Sequence, residues 1–274
     1  MKRLYNNYFE TAKFHKNARK LGLFVLVIGL PIVGISCRQA ATATREQPAV
    51  RPSSEAISEA DQLYAGRDDL VKVRQGIVAL RQGQAEDQTN YDLAWRVAKF
   101  NYYLGAHSPN TDERDKAFHD GIEAGKLAVK LQDGKPDGHF WLGANYGLSA
   151  KASVLSGLSE FEDIKKEMET VLKLDEGYQN GSAYLGLGQL YLEAPGILGG
   201  DTQKAIQYLE KGLKFGPTNA LLRAKLIAAY VEAHRNDEAR KQIAELQAMK
   251  PAPGYEPEYN EALAQVQKLE ERIK

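Results

Sequence analysis

Cysteine is nearly absent. Cys37 is the single one among 274 residues, so no disulfide can form within the chain. A basic excess is absent too, since 36 lysines and arginines face 36 aspartates and glutamates. Six of the basic residues, against Glu10 alone, lie in the first twenty positions, which leaves the remainder about five charges negative. A mildly acidic body without a basic stripe cannot neutralise a phosphate backbone, and nucleic acid is excluded as a partner. The five histidines, His15, His107, His119, His139 and His234, show no metal-ligand spacing. No Gly-x-Ser-x-Gly elbow and no other acid–base or nucleophile pattern is present. Neither a metal, a cofactor nor catalysis is expected. His139 reads as a packing residue.

Long hydrophobic runs are also scarce, with one exception. Leu21–Ser36, "LGLFVLVIGLPIVGIS", follows a basic stretch, is uncharged, and contains Pro31. It is shorter than the roughly 20 residues of a spanning helix. Cys37 follows at once, after "VGIS", and this junction resembles the lipobox of bacterial lipoproteins, in which the cysteine takes lipid and becomes the new N-terminus. Ser36 and Ile35 suit that pattern, while Gly34 stands where an aliphatic residue is usual. A single N-terminal membrane anchor and ordinary signal cleavage remain the alternatives. Arg38–Ser54, rich in Ala, Thr and Pro, has the composition of a flexible tether. The expected organisation is a signal segment over 1–36, a tether over 37–54 and a folded domain over 55–274, a lipoprotein facing the periplasm from its membrane anchor.

Strand alternation and hairpin dipeptides are missing from that domain, and helical periodicity fills it. Tetratricopeptide repeats carry an aromatic-x2-Leu-Gly-x2-Tyr pattern on the first helix of each pair, then Ala and Pro on the second. Tyr184, Leu187, Gly188 and Tyr191 match it, and His139, Leu142, Gly143 and Tyr146 repeat it. Trp95, Ala98 and Tyr102 form a weaker copy. Ala205 to Pro217 and Ala239 to Pro251 have equal spacing, and the two prolines are one repeat period apart. A lone helix pair cannot bury its apolar face, so stacked pairs supply the core. The predicted fold is an all-α, tetratricopeptide-like solenoid opened by a degenerate pair over Glu55–Glu86 and closed by an amphipathic helix over Tyr259–Ile273. The small residues of His139–Leu158 predict a tightly packed central helix.

The glycine-rich stretch "EAPGILGGDTQKA", Glu193–Ala205, has two readings. Backbone N–H groups there could cradle a phosphate, or the glycines could serve only to turn the chain. The Gly-Lys-Ser/Thr ending of a nucleotide loop is absent. Asp201 is placed to cap the next helix, where its carboxylate would occupy the donors a phosphate needs. A loop inserted between two helices is the reading adopted.

Three segments then carry a family resemblance. "PDGHFWLGANYGLSAKASVLSGL", "IKKEMETVLKLDEGY" and "LGLGQLYLEAPGILGGDTQKAIQYLEKGL" are similar to the TatT family, tetratricopeptide-like lipoproteins associated with some TRAP solute transporters. The similarity runs from Tyr91 to the C-terminus. It implies an all-helical periplasmic accessory protein that partners a solute-binding protein or handles a small apolar or carboxylate ligand. "YDLAWRVAKFNYY" also resembles the regulator of microtubule dynamics family, which shares the helical plan.

Repeat geometry nominates a concave groove on the first helices: Arg96, Phe100 and Tyr103, then Phe140 with Ala144 and Gly147, then Leu185, Gln189 and Glu193. Concave apolar surfaces with a few polar handles are where peptides and ligands bind. The opposing expectation is that the closing helix fills this groove as core. Groove residues open to solvent imply a protein partner, and a sealed cavity lined by Phe100, Tyr103 and Phe140 implies a small ligand. The lipid junction yields the first prediction: Cys37→Ala releases the protein from the membrane fraction, as read by fractionation and immunoblot.

Overall fold

The computed structural model describes residues 51–152 and 157–273. The signal segment, Cys37 and the tether up to residue 50 lie outside the described residues. Within these, the chain forms eleven α-helices: α1 Ser53–Tyr64, α2 Leu70–Glu86, α3 Tyr91–His107, α4 Thr111–Leu131, α5 Pro136–Ala152, α6 Gly157–Leu174, α7 Tyr178–Glu193, α8 Thr202–Phe215, α9 Ala220–Glu232, α10 Asn236–Ala248 and α11 Glu256–Glu270. No strand occurs among the described residues. The fold is the all-α, tetratricopeptide-like stack of antiparallel pairs.

Helix starts follow local chemistry. Asp69, Asn90, Asn110 and Asn219 each accept a backbone N–H from the first turn they cap, satisfying donors that the helix itself cannot. Asp201 does the same for α8, accepting from Gln203 at 2.9 Å and Lys204 at 3.0 Å. The donors that a phosphate would need are taken, and the glycine-rich insertion is a connecting loop containing one 3-10 turn, Gly196–Leu198.

Consecutive helices touch where one of them has no side chain. A methyl group on Gly76 would strike Phe100 of α3; on Gly105, Phe118 of α4; on Gly125, the backbone of Leu142 in α5. Gly143 meets Met168 of α6, Gly188 meets Leu209 of α8, and Gly212 meets Leu222 of α9. Tyr184 and Tyr191, which the repeat pattern nominates, are buried at 1% and 6% exposure. They pack against Phe215, stacked at 5.6 Å, and Tyr208, stacked at 5.5 Å. From α9 onward alanines and aliphatics take over, with Ala229, Ala239, Ile243, Ala262 and Val266 in one cluster.

The centre of the stack differs from expectation. Gly143 is tightly packed, but added bulk at Gly147 would meet nothing. Residues 146–150 of α5 stay half-exposed, so only the first half of this helix is close-packed. Residues 153–156, within the predicted run, lie outside the described residues. The start of α7 holds another feature that periodicity does not signal. Gln179, Asn180 and Gly181 all have left-handed φ values, 42°, 56° and 77°. A Cβ on Gly181 would press the carbonyl of Gly212 at 2.7 Å, so glycine is needed there for both reasons. The turn is held by Asn219, whose amide donates to the Asn180 carbonyl at 3.1 Å.

The closing helix does more than cover α9. Its first turn and the preceding Gly254 meet the loop between α1 and α2 through one side chain, Arg67. This arginine is 5% exposed and donates to the Gly254 carbonyl at 2.7 Å and to both oxygens of Glu258. Its guanidinium also lies over Tyr64, 5.1 Å from the ring centre. The last helix is thereby tied to the loop between the first two.

The two kinds of glycine in this stack should respond oppositely. Gly147→Ala removes backbone freedom at an open position and stabilises by up to about 1 kcal/mol. Gly188→Ala gains the same propensity but drives a methyl to 2.4 Å from the buried Leu209, a strain of about 1–3 kcal/mol that reverses the sign. Urea midpoints of the two variants against the parent measure this.

Candidate functional site

Helix α3 is the wall on which the site is built. Leu93, Val97, Phe100 and Leu104 bury one face of it, because their spacing follows the helical turn. The other face, Trp95, Arg96, Lys99 and Tyr102, keeps partial exposure and forms a stripe along the helix. The repeat register places Phe100 in the groove, and the structure places it elsewhere. Phe100 has no exposed surface and fills the space over Gly76 of α2. Lys99 occupies the slot that glycine holds in α5 and α7. The close contact of α3 with α4 is made at Gly105, whose neighbour is Phe118.

The other groove candidates fall into two groups. Tyr103, at 9% exposure, packs edge-on to Tyr64 and beside His107. Phe140, also at 9%, packs against Trp141 and Tyr178. Phe100, Tyr103 and Phe140 are therefore core rings that fill space instead of lining a sealed cavity. Leu185 is half-buried against the C-terminal cluster. Arg96, Gln189 and Glu193 do carry polar contacts on the inner side. Arg96 forks onto Asp61 with two bonds of 3.0 Å, bonds Asp92, and stacks over Trp95 at 4.1 Å. Glu193 accepts from Lys225 of α9 at 2.8 Å and from Gln189 at 3.3 Å.

Electrostatics tie these walls together. Burial of its ring pushes the Tyr102 phenol up to about 12, and the carboxylates of Glu261, Glu193 and Glu258 add to the push. Acidic groups from α7 and α11 thus look across at α3. Burial holds the Lys99 amine down to about 8; Asp61 and Glu258 partly offset this, and Arg96 and Arg67 reinforce it. Lys99 makes no ion pair among the described residues and sits 3.7 Å over the Tyr64 ring.

Two further polar clusters fasten the repeats without facing the groove. Asp137 at the start of α5 accepts from the hydroxyls of Tyr178, at 2.7 Å, and Tyr91, at 3.3 Å, joining three helix starts. His139 is more than a packing residue. Its Nδ1 lies 2.5 Å from Glu167 of α6 and its Nε2 lies 2.8 Å from the Asp133 carbonyl, with both side chains of the pair nearly sealed from solvent. The Glu167 bond raises the His139 pKa against the opposing effect of burial. Burial would raise that of Glu167, but His139 and Lys166 together lower it. No cluster of histidine, cysteine and carboxylate residues able to hold a metal occurs among the described residues.

The sequence pattern alone misses Arg67, Lys99 and Glu258. Only the lysine in a glycine slot leaves a readable sign. The His139–Glu167 pair sets a pH dependence. A raised histidine pKa contributes stability that is full below about pH 6.5 and fades as pH rises through the raised value. A lowered glutamate pKa contributes stability present above about pH 4.5 and lost on acidification. The pair is strongest between these limits. His139→Gln should cost about 3 kcal/mol near pH 6 and markedly less at pH 9, as measured by urea unfolding at each pH.

Comparison with known proteins agrees with this architecture. A thermophilic tetratricopeptide-repeat protein of Thermus thermophilus superposes with a TM-score of 0.60 at 19% identity, over 79% of this chain and 99% of that one. The Pseudomonas aeruginosa protein pilF superposes with a TM-score of 0.51 at 15% identity, over 81% and 93%. Both likenesses are of fold. No curated protein matches the sequence. The model of the TRAP transporter T-component family matches residues 101–269, from the middle of α3 through nearly all of α11. The chain therefore belongs to the TRAP transporter T-component family.

Proposed function

We propose that this protein is a non-catalytic accessory component of a TRAP transporter, tethered by lipid at Cys37, facing the periplasm, and docking a solute-binding protein on its inner face. The observation that supports docking is the division of α3 into a buried face and a half-exposed one. Trp95, Arg96 and Tyr102 stay accessible on the inner stripe while the neighbouring Phe100 is sealed. Aromatic and arginine side chains held in place by neighbours are the usual energetic centres of protein interfaces. Arg96 is fixed by Asp61 and Trp95, so little side-chain entropy remains to be lost on binding.

Opposite this stripe, Gln189, Glu193 and Lys225 supply a polar rim with both signs of charge. Such a rim favours orientation and selectivity over raw affinity. The alternative role, a carrier with an enclosed apolar pocket, loses the feature that would favour it, because Phe100, Tyr103 and Phe140 are packed together as core.

Docking is testable with a purified TRAP solute-binding protein from the same organism. Trp95→Ala with Glu193→Arg should weaken the complex at least tenfold by calorimetry, while the thermal midpoint changes little. Unaltered affinity with intact folding would remove the inner face from the interface.

A further inference from the structure

One large apolar side chain stands almost wholly in solvent. Ile197 is 93% exposed, whereas no other large apolar side chain among the described residues exceeds 55%. It sits at the tip of the insertion between α7 and α8, where residues 194–200 carry no charge. Joining two helices requires only that the chain turn; raising an isoleucine into water is no part of that task. The tip is also held in place. Leu198 donates its N–H to the Pro195 carbonyl at 2.8 Å, Gly199 to Gly196 at 3.2 Å and Gly200 to Pro195 at 3.1 Å. Asp201 fixes the end of the loop by donating to the Tyr191 carbonyl at 2.8 Å. Below the tip, Gly199 rests on the Phe161 ring of α6, where a methyl would come within 2.8 Å, and Leu198 is half-buried. An apolar side chain presented on a fixed turn has little freedom left to lose when a partner covers it.

Two observations indicate the occupant. The first is the end of the stack from which the loop projects. The starts of α3, α5, α7 and α9 are joined in a row, because Tyr91 and Tyr178 both donate to Asp137 and Asn219 donates to the Asn180 carbonyl. Helix α1 starts at the same end, since the Ser53 N–H meets Glu86 at the close of α2. The proposed tether therefore joins the domain at this end. The insertion follows the last turn of α7 and lies at the opposite end, about 20 Å away for a helix of this length. An apolar tip that points away from the attachment point is badly placed for a lipid surface and well placed for a soluble protein. The second observation is continuity with the docking face. The insertion begins directly after Glu193, which bonds Lys225 and whose charge acts on Tyr102 of α3.

We propose that Ile197 is an apolar anchor that enters a pocket on the solute-binding protein docked along α3 and Glu193. This rests on the docking role and adds to it a contact on a loop outside the α3 stripe. The matching feature of the partner is an apolar pocket about one aliphatic side chain deep. Space around the tip allows the pocket to close over it, since a methyl on Gly196 would meet nothing. Residues that fill such desolvated pockets carry most of an interface's binding energy. The contact is apolar, so its strength follows the size of the side chain and resists salt, whereas the charged rim of Glu193 and Lys225 is screened.

The test is calorimetric titration of the full-length chain in nanodiscs with the purified solute-binding protein. Ile197→Asp should weaken the complex by about tenfold or more, Ile197→Ala by less, and Ile197→Leu hardly at all, at low and high salt alike. Thermal midpoints should match the parent, because the side chain is exposed. The variant Trp95→Ala with Glu193→Arg is titrated beside them. If it weakens the complex and Ile197→Asp does not, docking stands and the anchor is overturned. If neither weakens the complex, or none forms, docking on this face fails and the anchor fails with it. With partner affinity unchanged in Ile197→Asp, a shift in the number of chains per nanodisc would assign the tip to self-association. Weaker vesicle binding would assign it to the lipid surface, and either result overturns the proposal.

Discussion

Close contact between neighbouring helices is the constraint from which the rest of this structure follows. Two helices can approach within a side chain's thickness only if one of them has nothing to put between, and from α1 to α9 glycine fills that role at successive crossings. The opposing residue is usually large: Phe100, Phe118, Met168, Leu209 or Leu222. Each crossing is therefore a bump set into a gap, which fixes the rotation of both helices about their axes as well as their spacing. Rotation in turn decides which residues face inward.

Lys99 shows how the constraint selects the inner face. Put into the repeat pattern, it stands in the glycine slot, and a lysine cannot be pressed between helices. The close contact of α3 is made instead at Gly105, against Phe118 of α4. Phe100 lies in the core, while Trp95, Arg96 and Tyr102 keep partial exposure. The same logic explains why α5 and α7, which keep their glycines, present smaller or shorter inner residues such as Ala144 and Gln189.

Much of the fold is legible in the sequence because it rests on spacing. Tyr184 and Tyr191 read as buried, Asp201 as a cap and Glu193–Gly200 as an insertion, since each depends on neighbours a few positions away. The candidate site is less legible. Arg67 and Glu258 are 191 residues apart, and nothing local in either hints at the other. His139 stands in an aromatic slot and reads as packing, whereas its partner Glu167 lies on the next helix. Charges that meet through tertiary structure leave no periodic trace. The repeat register misplaces Phe100 and Tyr103 for a different reason: it derives from repeats with a glycine that α3 lacks.

Closure of the stack gives these charges their meaning. An open solenoid would leave Glu258 in water and Arg67 on a loop, and the inner face would be a shallow trough. With Arg67 bonded to Gly254 and Glu258, α11 stands opposite α3, and acids on one side raise the Tyr102 phenol on the other. The dielectric between such facing walls is lower than in bulk water, so a charge there is felt over a longer distance. The staple also consumes one of the two carboxylates near Lys99. The bond that ties the last helix to the first loop therefore also sets which acids act on α3.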